Sequence, residues 1–173
     1  MAAFVTGASR GIGLALVGRL LVKSNSGTVV AAARTATQSP GLAALQAQHG
    51  SRLVIADMDL TASASIEAAA ARLDGPCSLL VHNAGTMHPS GKGENTVRRL
   101  EQDEFAEVMS VNVIGPSLLT KALYPQLRAF GKTSPSKIVA VGAGVGSIGT
   151  NAAGGWYSYR ISKTALNALM KNL

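Results

Sequence analysis

Cysteine is almost absent from this chain of 173 residues, where Cys77 stands alone. A single thiol cannot close an internal disulfide, so nothing calls for an oxidising compartment. With only three scattered histidines beside it, no zinc pattern appears and no metal site is expected. Aromatic residues are scarce at 4% and charged residues at 14%, which argues against a nucleic-acid surface made of rings interleaved with basic side chains. Long apolar runs are missing too. Each is cut by Gly, Ser or a charge well before the roughly 18 residues a spanning helix needs. Neither nucleic acid nor membrane is therefore expected as a partner. No basic, apolar or Arg/Ser-rich leader precedes the first strand-like run, so no targeting signal is visible and a cytoplasmic location is expected. What remains is 47% hydrophobic, enough for one packed domain over residues 1–173 and incompatible with disorder.

Acidic residues are absent from residues 108–173, which hold seven basic ones, while residues 1–107 hold nine of each sign. The whole net charge of +7 thus belongs to the last part of the chain. Lys121, Arg128, Lys132, Lys137, Arg160, Lys163 and Lys171 are spread singly through apolar sequence and form no cluster. They suit an anionic small-molecule ligand, or acids lying elsewhere in an assembly or a longer chain, better than a polyanion.

Apolar β-branched runs alternate with longer amphipathic segments, the pattern of βαβ units feeding a parallel sheet. Strands are expected at Ala3–Thr6, Thr28–Ala33, Arg52–Ala56, Ser78–His82 and Lys137–Gly142. Helices are expected at Ile12–Lys23, Gly41–His49, Ala62–Leu73, Asp103–Phe130 and from Trp156 to the end, with Thr61 and Asp103 as N-caps. Five such units predict an α/β, three-layer, doubly wound Rossmann fold. Ligands bind that fold beyond the strand ends, here in loops such as Met87–Thr96 and Gly142–Gly155.

The first strand runs into Thr6-Gly7-Ala8-Ser9-Arg10-Gly11-Ile12-Gly13 and then a helix. Glycines permit a tight turn, and the helix N-terminus offers unpaired N–H groups and positive dipole to a pyrophosphate. The alternative is a glycine turn serving packing alone. About 20 residues further on, where an NAD-selective site carries an acid for the ribose 2′-OH, this chain has Arg34. Arg34 is either a solvated strand-end charge or, with Arg10, a pair that receives a 2′-phosphate and favours NADP(H).

Four elements in register, Thr6-Gly-x-x-x-Gly11-x-Gly13, Asn83-Ala84-Gly85, Asn112 in Val-Asn-Val-Ile-Gly-Pro, and Tyr159-x-x-x-Lys163, resemble the short-chain dehydrogenase/reductases. Gly146-Ser147-Ile148 and the run Gly154 to Lys163 are similar to the carbonyl-reductase branch that includes the C-factor and sniffer-type proteins. The resemblance extends from Ala2 to Leu173. It implies an NADPH-dependent reduction of a small-molecule ketone or aldehyde to an alcohol. In that reading Tyr159 donates the proton, Lys163 holds the nicotinamide ribose, and Asn112 anchors a water that relays protons to Lys163. Tyr159 and Lys163 share a helical face at i,i+4, and a nearby positive charge favours phenolate. Gly7, Ser9, Arg10, Gly11, Ile12, Gly13, Arg34, Asp59, Leu60, Asn83, Ala84 and Gly85, together with Tyr159 and Lys163, would surround the cofactor, with Asp59 at the adenine. His82 reads as a packing residue, and Trp156 and Tyr157 as residues that pack or border the pocket.

The chain departs from the family pattern in two ways. Relatives carry a Ser pair after strand five, where this chain has Gly142 and Ala143, leaving Ser147 as the nearby hydroxyl and a candidate catalytic residue. Relatives also continue past the helix bearing Tyr159, so the chain is expected to lack the last strands of the full fold. Ile138, Leu166, Leu169 and Leu173 are then expected to be exposed. Homo-oligomer formation through the 103–130 and 156–173 helices is a further expectation. The rival readings are a non-catalytic dinucleotide- or partner-binding protein, and a nucleic-acid binder supported only by net charge.

Overall fold

A computed structural model describes residues 2–23 and 27–173. Five strands, β1 (Ala2–Thr6), β2 (Val29–Ala33), β3 (Leu53–Asp57), β4 (Cys77–His82) and β5 (Lys137–Ala140), form one parallel sheet in the order β3-β2-β1-β4-β5. The chain builds outward from β1 to β3, then crosses back to lay β4 on the other side of β1. The strand order therefore reverses between β1 and β4, and a crevice opens there beyond their carboxyl ends. This is the doubly wound Rossmann architecture that the alternating pattern predicts.

Alternation along the strands divides the core in two. Phe4, Val30, Ala32 and Leu80 face α3 (Ser63–Ala70), α5 (Gly115–Ala122) and α6 (Tyr124–Gly131), burying Ile66, Leu119, Leu123 and Leu127. Val5, Ala31 and Val81 face the other way, onto Val17 and Leu21 of α1 (Gly11–Lys23) and Leu42 of α2 (Pro40–His49). His82 is buried with its Nε2 2.9 Å from the Thr120 hydroxyl, and burial pushes its pKa down to about 4. It is a neutral packing residue.

Several local expectations are corrected. The third helix begins at Ser63 with Ala62 at its cap, because the Thr61 hydroxyl donates instead to Asp59 at 2.8 Å. Asp103 lies inside the first turn of α4 (Gln102–Met109), where its charge favours the helix N-terminus, and Glu101 holds the cap position. The segment 103–130 is not one helix. A π-turn at Ser110–Ile114 separates α4 from α5, and α6 starts afresh after Leu123. The last helix, α7, covers Tyr157–Asn172. Of the residues expected to be exposed, Leu166 is buried, Ile138 packs on the core and Leu169 is half-buried, while Leu173 is exposed. Val139, 45% exposed on β5, and Ile161 on α7 are solvated as well. Among the described residues no helix is long and apolar enough to cross a membrane.

Candidate functional site

At the reversal point the ends of β1 and β4 are tied together by side chains. Thr6 Oγ1 accepts the backbone N–H groups of Asn83 (3.1 Å) and Ala84 (2.9 Å). Asn83 Nδ2 in turn donates to the carbonyls of Thr6 (2.9 Å) and Gly7 (3.1 Å). These four bonds fix the glycine loop against the sheet. A Cβ on Gly13 would collide with the Gly7 carbonyl, so Gly13 serves close packing. Gly11 differs: its φ is +55° and a Cβ there would meet nothing within 4 Å. It faces open space at the N-terminus of α1, with positive dipole and the helix's unpaired N–H groups around it. Packing and ligand space thus each account for one glycine of the motif.

That space is a cleft of about 700 Å³. Its walls bring together every residue expected around the cofactor outside α7: Gly7, Ser9, Arg10, Gly11, Ile12, Gly13, Arg34, Asp59, Leu60, Asn83, Ala84 and Gly85. Arg10 and Arg34 are both exposed at its rim. Asp59 Oδ1 accepts the Thr61 N–H and hydroxyl, each at 2.8 Å. Those two bonds hold its carboxyl below the ordinary carboxylate value; slight burial works against them and Arg34 adds to them. Thr86, Met58, Glu107 and Val111 also line the cleft, and no motif marks them in the sequence.

Tyr159 and Lys163 stand beyond the Gly85 end of the cleft. Lys163 is 4% exposed, its Nζ donates to the Val141 carbonyl at 2.9 Å, and it lies 5.8 Å from the centroid of the Tyr159 ring. Burial lowers its pKa from the usual lysine value. A Cβ on Gly85 would come within 3.3 Å of both Lys163 Nζ and Asn112 Oδ1, so three separate motifs meet at one bare Cα. Asn112 sits in the π-turn, an irregularity often found at functional sites. Its Oδ1 accepts the Thr86 N–H (2.9 Å), and its Nδ2 donates to the Thr86 carbonyl (2.8 Å) and the Ser162 hydroxyl (2.9 Å).

Ser147 closes the short turn Gly144–Gly146, which is docked on α7. Arg160 Nη1 donates to the Val145 carbonyl (3.3 Å) and Thr164 Oγ1 to the Gly146 carbonyl (2.8 Å), one helical turn apart on either side of Lys163. Gly146 lies so close to Lys163 that a Cβ there would be 2.9 Å from the lysine's own. The half-buried Ser147 side chain makes no hydrogen bond among the described residues. Trp156 packs over Gly93 at the mouth of this region.

The fold has close relatives of known structure. The NADPH-bound carbonyl reductase from chicken fatty liver is 34% identical, with a TM-score of 0.87 over 99% of this chain and 71% of its own. The carbonyl reductase Sniffer of D. melanogaster is 28% identical, with a TM-score of 0.85 over 99% of this chain and 73% of its own. Among curated proteins, the 3-oxoacyl-[acyl-carrier-protein] reductase FabG of Escherichia coli is 30% identical over an alignment that covers 99% of this chain and 65% of the reductase. The short chain dehydrogenase gsfK of Penicillium aethiopicum is 30% identical over 83% of this chain and 57% of its own length. This chain thus spans less than two thirds of the length of those two curated relatives. The family model for short chain dehydrogenases matches residues 1–173, and the chain belongs to the short-chain dehydrogenase family.

Proposed function

We propose that this chain carries the cofactor site and proton-donating pair of an NADPH-dependent carbonyl reductase. The observation that carries the reading is the meeting of the glycine-walled cleft with Lys163 and Asn112 at Gly85. The residues present fit a dinucleotide: open space at Gly11 above a helix N-terminus suits a pyrophosphate, and two guanidinium groups at the rim suit a 2′-phosphate. NADPH, when bound, supplies the hydride that turns a ketone or aldehyde into an alcohol. Arg10 and Arg34 hold the 2′-phosphate, and the N-terminus of α1 holds the pyrophosphate. Tyr159 gives its phenolic proton to the carbonyl oxygen, and the Lys163 ammonium stabilises the phenolate left behind. The Val141 carbonyl keeps that ammonium in place against its burial. Asn112 orients the water that returns a proton toward Lys163. Ser147, carried by a turn docked on both sides of Lys163, supplies the hydroxyl that relatives place at 142 and 143.

NADP-bound and NADPH-bound structures among the relatives support this choice of cofactor. A second reading, dinucleotide binding without turnover, rests on Gly142 and Ala143, which carry no hydroxyl for the developing charge. Titration with NADPH and NADH tests the first part of the proposal. Tighter NADPH binding that is lost in Arg34→Glu supports it, and equal affinity for the two cofactors contradicts it.

A further inference from the structure

Loop 87–96, a polar connection after β4, buries a carboxylate. Glu94 is 2% exposed in a segment otherwise rich in solvated residues. It meets the beginning of α7 twice: its carbonyl accepts the Trp156 N–H at 2.6 Å, and its Oε1 accepts the Ser158 N–H at 3.3 Å. The N-terminus of α7 has no side-chain cap of its own. Glu94 supplies one from 64 residues away and places a negative charge at the positive end of the helix dipole. Burial pushes its carboxyl up, but Ser158, its own backbone N–H and His88 outweigh that, and its pKa lies below the ordinary value. The carboxylate is therefore the form present at neutral pH. His88, also buried, has its Nε2 3.8 Å from Glu94 Oε1 and 3.3 Å from Glu104 Oε2 of α4.

The chain enters α7 under strain. Gly154, Gly155 and Trp156 all have positive φ, and Trp156 at +48° is the only non-glycine in that region among the described residues. Such a residue persists only where its surroundings over-determine it. The Glu94 carbonyl and the contact of the Trp156 ring with Gly93, where a Cβ would lie 3.0 Å from Cδ1, provide that constraint.

We infer that Glu94 is a positioning residue for the proton donor: it fixes the first turn of α7, and through Ser158 the adjoining Tyr159, against the loop beside the pocket. This rests on the proposed reductase reading for its effect on turnover, but not for its effect on the helix. The test compares wild type, Glu94→Ala and Glu94→Gln by amide exchange at Ser158, emission of Trp156, NADPH affinity, and kcat and KM for a carbonyl substrate. Trp156 is the sole tryptophan, so its emission reports this contact alone.

Glu94→Ala is expected to speed Ser158 exchange and shift the emission. It should lower kcat by about 10²-fold, the cost of a small misplacement of a reacting group. NADPH affinity should fall far less than kcat, because the residues at the pyrophosphate and the 2′-phosphate lie on other elements. Glu94→Gln, which keeps the acceptor, should restore exchange protection and most of kcat. Unchanged exchange and emission in Glu94→Ala would overturn the inference. So would a parallel loss of NADPH affinity, or a Glu94→Gln variant as impaired as Glu94→Ala. If wild type binds NADPH but reduces no carbonyl, the reductase reading fails while exchange and emission still decide the role of Glu94. If Glu94→Ala does not fold, Gly93→Ala, which crowds the Trp156 ring, serves instead: a shift in emission and faster Ser158 exchange support the inference, and no change in either overturns it.

Discussion

Asn112 Nδ2 donates to the Ser162 hydroxyl at 2.9 Å, joining the π-turn of the central helix to the helix that bears Tyr159 and Lys163. The same amide is bonded to both backbone groups of Thr86, so one buried side chain connects the cofactor cleft, the π-turn and α7. Asn112→Leu keeps the volume and removes all three bonds. Each buried polar group left unpaired costs about 1–3 kcal/mol, so a clear drop in Tm is expected in thermal melts. Turnover should fall further than in a surface variant of equal Tm.

The proposed function gives cofactor choice to the rim arginines, Arg10 and Arg34. A charge-assisted hydrogen bond contributes about 1.5–3 kcal/mol, so Arg34→Glu should weaken NADPH binding by roughly ten- to a hundredfold and leave NADH binding unchanged or improved. Fluorescence titration of both cofactors against wild type and variant checks this.

In the proposed function Ser147 supplies the hydroxyl that stabilises developing negative charge on the substrate oxygen. Removing such a donor lowers kcat by about 10²–10³ in other enzymes. Ser147→Ala is expected to lose turnover on that scale and keep its NADPH affinity. Steady-state kinetics beside a cofactor titration separates the two.

Cys77 is buried in β4, and burial pushes its thiol up to about 11 from the ordinary 9.0. The unfolded chain releases this proton first, so between pH 9.0 and about 11 the folded state binds more protons and stability falls as pH rises. Below pH 9.0 the contribution is complete. Denaturant midpoints measured across this window should decline more steeply for wild type than for Cys77→Ala. A thiol reagent at neutral pH should label Cys77 only after unfolding.

The parts of this molecule that were legible in the sequence are those with a local physical signature. Alternating strand runs located all five strands to within two residues at either end. The glycine spacing before α1 identified the cleft because a tight turn, a helix N-terminus and open space must coincide there. The π-turn was invisible, since Ser110–Ile114 has no Gly or Pro of its own to mark a break, and only the bonds of Asn112 to Thr86 and Ser162 reveal its place in the fold. Leu166 was misread as exposed because a helical periodicity does not say which neighbour covers its apolar face. Glu94 carried no signal at all: a lone acid in a polar loop reads as solvated, and its partners at Trp156 and Ser158 lie more than 60 residues away.

In the proposed function Tyr159, held beside Lys163 at the end of the cleft, is the proton donor of a carbonyl reduction. The most direct test follows NADPH consumption and alcohol formation over a panel of ketones and aldehydes, for wild type and Tyr159→Phe, with NADPH binding measured in parallel. Consumption matched by alcohol is expected in wild type, with its loss in Tyr159→Phe while binding stays intact. A Tyr159→Phe variant that turns over as fast as wild type, or a wild type that binds NADPH and reduces no carbonyl, would contradict it.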